Sequence, residues 1–251
     1  MEQLKNKVAL VTGGARDIGR AVSVKLAEQG AAVALNYFDN AADAEATLKM
    51  VKAKGGNAVA IQGDMTKAAD AQRFVAEARK AFGESIDILV NVAGGLMGRH
   101  PITDMEETFW DAVMNVNLKS VFLVTKAALP FMHDGGTIVN FATQAVHDGG
   151  GPGAIAYASA KAGVLTFTRG LAKELGPRRI RVNAVSPGMI NTTFHNTFTK
   201  PEVRQRVAGM TPLGREGEAG EIAEAVLFLA SDRASFIDGE SVQINGGVFF
   251  A

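Results

Sequence analysis

Tyr157-Ala158-Ser159-Ala160-Lys161 sets a phenol and an ammonium four residues apart in a stretch with a helical pattern, so both fall on one helical face. Such a pair can act as an acid-base catalyst. A phenol with an ordinary pKa of about 10 shuttles protons poorly near neutrality, and a neighbouring ammonium favours its phenolate. The same spacing also occurs on ordinary amphipathic helices. A glycine-rich turn near the N-terminus supplies an independent signal. Lys7-Val8-Ala9-Leu10-Val11-Thr12 is a short apolar, β-leaning run, followed by Gly13-Gly14-Ala15-Arg16-Asp17-Ile18-Gly19. A helical pattern then runs from Arg20 to Gln29, Gly30 closes it, and Ala32 to Asn36 reads as a second strand. Strand-turn-helix-strand units of this kind bind dinucleotides: the glycines admit a pyrophosphate to the backbone, and the helix N-terminus offers free N–H groups.

These residues resemble the short-chain dehydrogenase/reductase family, whose pattern is a TGxxxGxG turn, an NNAG-like segment, a catalytic Asn, a Ser ahead of YxxxK and a later PG. Here they stand as Thr12-Gly13 through Gly19, Asn91-Val92-Ala93-Gly94, Asn117, a hydroxyl at Thr143, Tyr157 with Lys161, and Pro187-Gly188, across essentially the whole chain. The resemblance implies hydride transfer between a nicotinamide and a carbonyl or alcohol. It makes Tyr157 the proton donor, Lys161 the group that lowers the phenol's pKa and meets the nicotinamide ribose, Thr143 a donor to the carbonyl oxygen, and Asn117 the anchor of a relay water. Asn115 lies on another helical face, and the alternative for Asn117 is an amide bonded to backbone. Three departures stand out. Asp17 occupies the turn's middle glycine position, where it could bond within the turn or sit near the ribose. Val92 replaces the second Asn. Thr143 replaces the serine, one residue further from the tyrosine than expected because of Gly149-Gly150-Gly151-Pro152-Gly153, with Gln144 as a competitor for its role.

By the same resemblance Gly13, Ile18 and Gly19 line the pyrophosphate, and Asp64 and Met65 meet the adenine, although Asp64 could equally cap the next helix. Asn91, Ala93 and Gly94 flank a ribose, and Ile190 and Thr192, after Pro187-Gly188, meet the nicotinamide amide. A 2′-phosphate wants Arg or Lys, and a free 2′-hydroxyl wants a carboxylate. Arg16 favours phosphate, whereas Tyr37-Phe38-Asp39 supplies no base and Asp17 and Asp39 repel phosphate, so the expectation leans to NAD(H) over NADP(H).

Gln144, His147, Met189 and His195 are the substrate candidates, with Arg99, His100, Phe194 and Phe198 nearby. Arg and His suit a carboxylate-bearing carbonyl compound. The run from Gly188 to Arg204 resembles reductases of uronate-derived keto-aldehydes such as 4-deoxy-L-erythro-5-hexoseulose uronate. A 3-oxoacyl-carrier-protein reductase is the alternative, and a dinucleotide-binding sensor without turnover is the alternative of another class.

The elements that must position these groups alternate along the chain. Strand-like runs occur at Val8 to Val11, Ala32 to Leu35, Ala58 to Gln62, Ile86 to Val90, Thr137 to Phe141, Arg181 to Val185 and Ser241 to Ile244. Helical patterns occupy Ala41 to Lys54, Ala68 to Phe82, Glu106 to Met132, Ala154 to Leu175 and Glu218 to Ala230. Alternation predicts an α/β fold, a Rossmann-type doubly wound parallel sheet with residues 1–251 as one binding and catalytic domain. The segment from Gly188 to Pro212 reads as a mobile lid without regular structure. At 251 residues, 47% hydrophobic with 28 glycines and a formal charge of zero, the chain suits a large core and offers no basic field for nucleic acid. It has no cysteine, which excludes disulfides, thiol catalysis and Cys-ligated metal, and no metal is expected. The expectation is a cytoplasmic enzyme without leader or membrane span. Resemblance adds a homotetramer, with interfaces on Ala154 to Leu175 and on the C-terminal segment ending Val248-Phe249-Phe250.

Overall fold

The structure is a computed structural model and describes residues 3–250. Its strands are β1 (Val8–Thr12), β2 (Ala32–Tyr37), β3 (Asn57–Gln62), β4 (Ile86–Asn91), β5 (Met132–Phe141), β6 (Arg181–Pro187), the short pair β7 (Ile190–Asn191) and β8 (Gly217–Glu218), and β9 (Ser241–Ile244). The helices are α1 (Asp17–Glu28), α2 (Ala41–Ala53), α3 (Ala68–Phe82), α4 (Glu107–Met114), α5 (Ser120–Ala128), α6 (Ala145–Asp148), α7 (Ile155–Leu175), α8 (Thr193–Phe198), α9 (Pro201–Met210) and α10 (Ala219–Ala230). Seven strands form one parallel sheet in the order β3-β2-β1-β4-β5-β6-β9, and β7 pairs with β8 apart from it.

Side-chain alternation explains the two layers of helices. Ala9, Val11, Val33, Leu35 and Val90 pack toward Val22 and Leu26 of α1 and Ile222 and Val226 of α10. Their neighbours in the chain, Leu10, Ala34, Leu89 and Ile138, face Phe74 and Val75 of α3, Val124 of α5 and Leu171 of α7. Each fully buried aliphatic or aromatic side chain contributes about 1.5–3 kcal/mol. Local signals start two of the helices: the Asn40 side-chain Oδ1 accepts from the Asp43 N–H at 3.1 Å ahead of α2, and Glu218 and Glu221 form a capping box on α10.

Three expected elements are corrected. The single helix from Glu106 to Met132 is α4 and α5 joined by one π-helical turn, Asn115–Lys119, and closed by a 3₁₀ turn, Leu129–Phe131. β5 begins at Met132 rather than Thr137, because Met132 pairs with Ile86 across an irregularity in the register. The Gly188 to Pro212 segment holds two helices, α8 and α9, the second opened by Pro201 at its first turn, where its fixed φ and missing N–H cost nothing. The stretch Glu107–Phe131 is long and apolar enough to cross a bilayer by length and composition. It buries Asn117, Ser120 and Thr125 and packs its apolar face into the sheet layer, as a core helix does.

Candidate active site

The strand order reverses between β1 and β4, which opens a crevice beyond their C-terminal ends. Around it stand the turn after β1, the Asn91–Gly95 segment after β4, Thr143 after β5 and Pro187-Gly188 after β6. Thr12 ties the first two together, its hydroxyl accepting from the Ala93 N–H at 3.1 Å.

The turn fits a dinucleotide. Gly13 has φ of 59°, and a methyl there would sit 3.0 Å from Ala93 Cα, while Gly19 lies so close to the Gly13 carbonyl that no side chain fits. No side chain caps α1, so its first N–H groups stay open for a phosphate. Asp17 does not turn to the ribose. Its backbone is left-handed, with φ of 50°, and its carboxylate accepts from the Thr193 N–H at 3.0 Å and from the Thr193 hydroxyl. Arg16 is exposed, with Asp17 beside it at 4.0 Å, and Phe38 is exposed at the end of β2 while Tyr37 packs on the core.

Asn91 points inward: its amide donates to the Asn140 side-chain Oδ1 at 2.9 Å and to the Thr125 hydroxyl at 3.3 Å beneath the crevice, so its side chain does not reach a ribose. Met65 and Ile190 likewise send their side chains into the core, leaving their backbones at the rim. Asp64 accepts from the Thr66 N–H at 2.9 Å and from the Thr66 hydroxyl at 2.7 Å, a local turn, and the residue that opens α3 is Lys67. Pro187 is buried at the end of β6, and the Gly188 N–H donates to the Ile244 carbonyl at 3.0 Å. Thr192 is buried, its hydroxyl donating to the Ile190 carbonyl at 3.1 Å.

Tyr157 and Lys161 lie one turn apart on α7. Lys161 is 3% exposed and donates to the Phe141 carbonyl at 2.8 Å. Burial pushes the ammonium down to about 8. Burial also pushes the Tyr157 phenol up to about 12, against the Thr143 hydroxyl beside it, which favours the ionised form. Tyr157 keeps some accessible surface, yet the protein packed around the phenol decides the direction. The expected lowering of the phenol is thus not seen here, because desolvation outweighs the opposing Thr143 hydroxyl.

Asn117 sits at the middle of the π-helical turn, fully buried. Its carbonyl accepts from the Gly95 N–H and its amide donates to the Gly95 and Val113 carbonyls, each at 2.9 Å. A methyl on Gly94 would lie 2.7 Å from Asn117 Oδ1 and 2.9 Å from Lys161 Nζ, so both groups converge on one bare backbone position. Asn115, at the start of the turn, is only half-buried.

Substrate candidates divide. Thr143 stands beside Tyr157, whereas Gln144 donates to Asp148 at 2.7 Å and turns away. His147 stacks on Phe249 at 4.3 Å and meets Gln243. Met189 lines a cavity of about 480 Å³ with Leu213, Gln243 and Phe249, and none of Asn117, Thr143, Tyr157 or Lys161 lines it. Above Tyr157 the lid places Phe194, 6.1 Å between ring centroids, with Phe198 and His195 against Phe194. Burial, and then Arg204, push His195 down to about 4, with Glu216 opposing. Arg99 donates to the Phe198 carbonyl at 3.2 Å and the Pro152 carbonyl at 3.1 Å, tying the lid to the glycine-rich loop. Sequence reasoning missed the Asp17–Thr193 contact and the Arg99 tie, and no local signal in the sequence carries either.

A nicotinamide-dinucleotide oxidoreductase of the doubly wound type is the class this fold and crevice define. A family model described as enoyl-(acyl carrier protein) reductase matches residues 13–249. The chain is 40% identical over 246 residues to 3-oxoacyl-[acyl-carrier-protein] reductase FabG of Staphylococcus epidermidis, covering 97% of this chain and 99% of that one. It is 38% identical to (3R)-3-hydroxyacyl-CoA dehydrogenase of Mus musculus, covering 98% of each. Among solved structures it resembles a blue fluorescent protein from a metagenomic library in complex with NADPH, with a TM-score of 0.91, 35% identity and coverage of 99% of this chain and 100% of that one. The chain belongs to the short-chain dehydrogenase/reductase family and is an NAD(P)-dependent oxidoreductase acting on carbonyl or CH–OH groups.

Proposed function

We propose that the chain reduces the ketone of a 3-oxoacyl thioester, with NADP(H) as its dinucleotide. One observation carries the substrate class: among the described residues, the lid side chain packed against Tyr157 is the aromatic Phe194, and the lid cations Arg204 and Arg99 are engaged elsewhere. Arg204 is paired with Glu216 and bonded to Asn191 at 3.0 Å, Arg99 is anchored by two backbone carbonyls, and burial pushes His195 down to about 4. The remaining surface above Tyr157 is aromatic, from Phe194 and Phe198, which suits an acyl chain better than a uronate. The names of the relatives from Staphylococcus epidermidis and Mus musculus support the same class.

A dinucleotide held in this crevice would supply the hydride for the carbonyl carbon. Tyr157 gives its proton to the carbonyl oxygen, and a phenol held near 12 keeps that proton until the oxygen takes it. The Thr143 hydroxyl steadies the oxygen as charge builds, and Lys161 stabilises the phenolate left behind. Asn117 holds the Gly95 backbone, and with it the crevice wall beside Lys161. Gly13, Ile18 and Gly19 receive the pyrophosphate, with Ala93, Gly94, Pro187, Gly188 and Thr192 as further walls. At the 2′ position the NAD(H) preference loses one of its two acids, since Asp17 is committed to Thr193. Exposed Arg16 lies within the turn itself, and the NADPH-bound neighbour supports the same choice. We further propose assembly as a homotetramer in the cytoplasm.

The test is a steady-state assay following nicotinamide absorbance with acetoacetyl-CoA and with 4-deoxy-L-erythro-5-hexoseulose uronate. Faster turnover of the uronate refutes the thioester reading, and no turnover of any carbonyl compound favours a sensor. Arg16→Ala should lower kcat/KM for NADPH about tenfold and leave NADH unchanged.

A further inference from the structure

We infer that Asp17 is a positioning residue that latches the substrate lid to the dinucleotide turn through Thr193. The first N–H of α8 has no intrahelical acceptor, as at any helix start, and Thr192 offers no side-chain cap, its hydroxyl being turned back to the Ile190 carbonyl. Asp17 supplies the acceptor from 176 residues away, one carboxylate oxygen taking the Thr193 N–H at 3.0 Å and the other the Thr193 hydroxyl. It does so from a left-handed backbone that glycine adopts freely, so the acid stands at this position against its conformational preference. The next lid residue, Phe194, packs on Tyr157. One side chain therefore links the turn that receives pyrophosphate to the residue that covers the phenol. Its charge is held by two donors of the lid instead of facing the phosphates, which explains how an acid is tolerated in an anion-binding turn.

The inference rests on the dinucleotide reading of the turn, and its test separates the two. Hydrogen exchange of lid amides 193–200 is measured in the chain without added dinucleotide, and dinucleotide dissociation is followed by stopped-flow fluorescence of NADPH. Asp17→Gly relieves the left-handed backbone and so endangers folding little. It should speed both lid exchange and NADPH release about tenfold and raise the KM for NADPH by a similar factor, while kcat changes less than about threefold. Thr193→Val, which keeps the N–H bond, should give about a third of that effect, and the double variant should equal Asp17→Gly alone. Unchanged lid exchange in Asp17→Gly, or tighter NADPH binding by that variant, overturns the latch. Faster lid exchange in a chain that binds neither NADPH nor NADH upholds the latch and refutes the dinucleotide reading.

Discussion

Tyr157→Phe removes one oxygen and leaves the ring against Phe194, so dinucleotide affinity should survive while reduction falls about a hundredfold or more; near-normal turnover in that variant would sink the mechanism. Lys161 makes a second, opposite prediction. Its folded pKa, about 8, lies below the ordinary 10.5, so the unfolded chain binds more protons between those values and stability rises with pH across that window. Below about 8 the buried charge is a burden. Lys161→Met should therefore be more stable than the wild type at pH 7 by about 1–3 kcal/mol and inactive, with the gap closing as pH climbs toward 10.5. Denaturant titrations at several pH values read the difference, and a Met variant less stable at neutrality contradicts it. Type and spacing singled out Tyr157 and Lys161, a pairing local to one helix, whereas Asn117 was named through the family resemblance. The partners of Asp17 and Arg99 were illegible, because a lid contact depends on where the chain returns and leaves no period.

At the scale of elements, Asn117 serves the π-helical turn as three hydrogen bonds to backbone. Asn117→Ala leaves those buried groups unpaired, which should cost about 2–4 kcal/mol and lower Tm by roughly 5–15 °C, measurable by calorimetry. At the opposite end of the sheet Asp87 joins β1, β4 and β5. It accepts from the Val8 N–H at 2.8 Å, Lys7 at 3.0 Å and His133 at 2.5 Å. Burial pushes its carboxyl up, but those three partners outweigh it and hold the group below its usual 3.8. A depressed folded pKa contributes stability above the unfolded value and loses it as pH falls through the folded one. Asp87→Asn should thus cost about 1–3 kcal/mol at pH 7, with wild type and variant converging below about pH 3.8. A constant gap down to acid contradicts the pairing. This joint also explains the early start of β5. Met132 to Gly136 has no strand pattern, and pairing with Ile86 and Asp87, not propensity, extends the strand. The π-helical turn was equally hidden, since the apolar period continues through it. Strand and helix positions elsewhere were legible within a few residues because burial on two faces writes itself into alternation.

Among the large apolar side chains that stay exposed, two groups bear on assembly. Phe122 and Ile155 belong to α5 and α7, Phe250 to the C-terminal segment, and Leu213 and Phe236 (103% exposed) to the loops after α9 and before β9. Such surface is better covered than solvated. Sedimentation at micromolar concentration should give a tetramer, and Leu213→Glu with Phe236→Glu should split it into dimers; a wild-type chain that sediments only as monomer refutes the assembly. The parallel sheet has a further consequence for engineering. Every strand delivers its chemistry at its C-terminal end, so the turns at the other end are mechanically joined to the site but chemically idle. Gly55 and Gly83 lie in two of them, both with positive φ and with no atom near a side chain that might replace theirs. A short Gly-Ser insert at either glycine should leave kcat within about twofold of the parent. The same insert between Gly149 and Gly153, where Arg99 grips the loop, should abolish turnover, so reporters and affinity tags belong on the far rim.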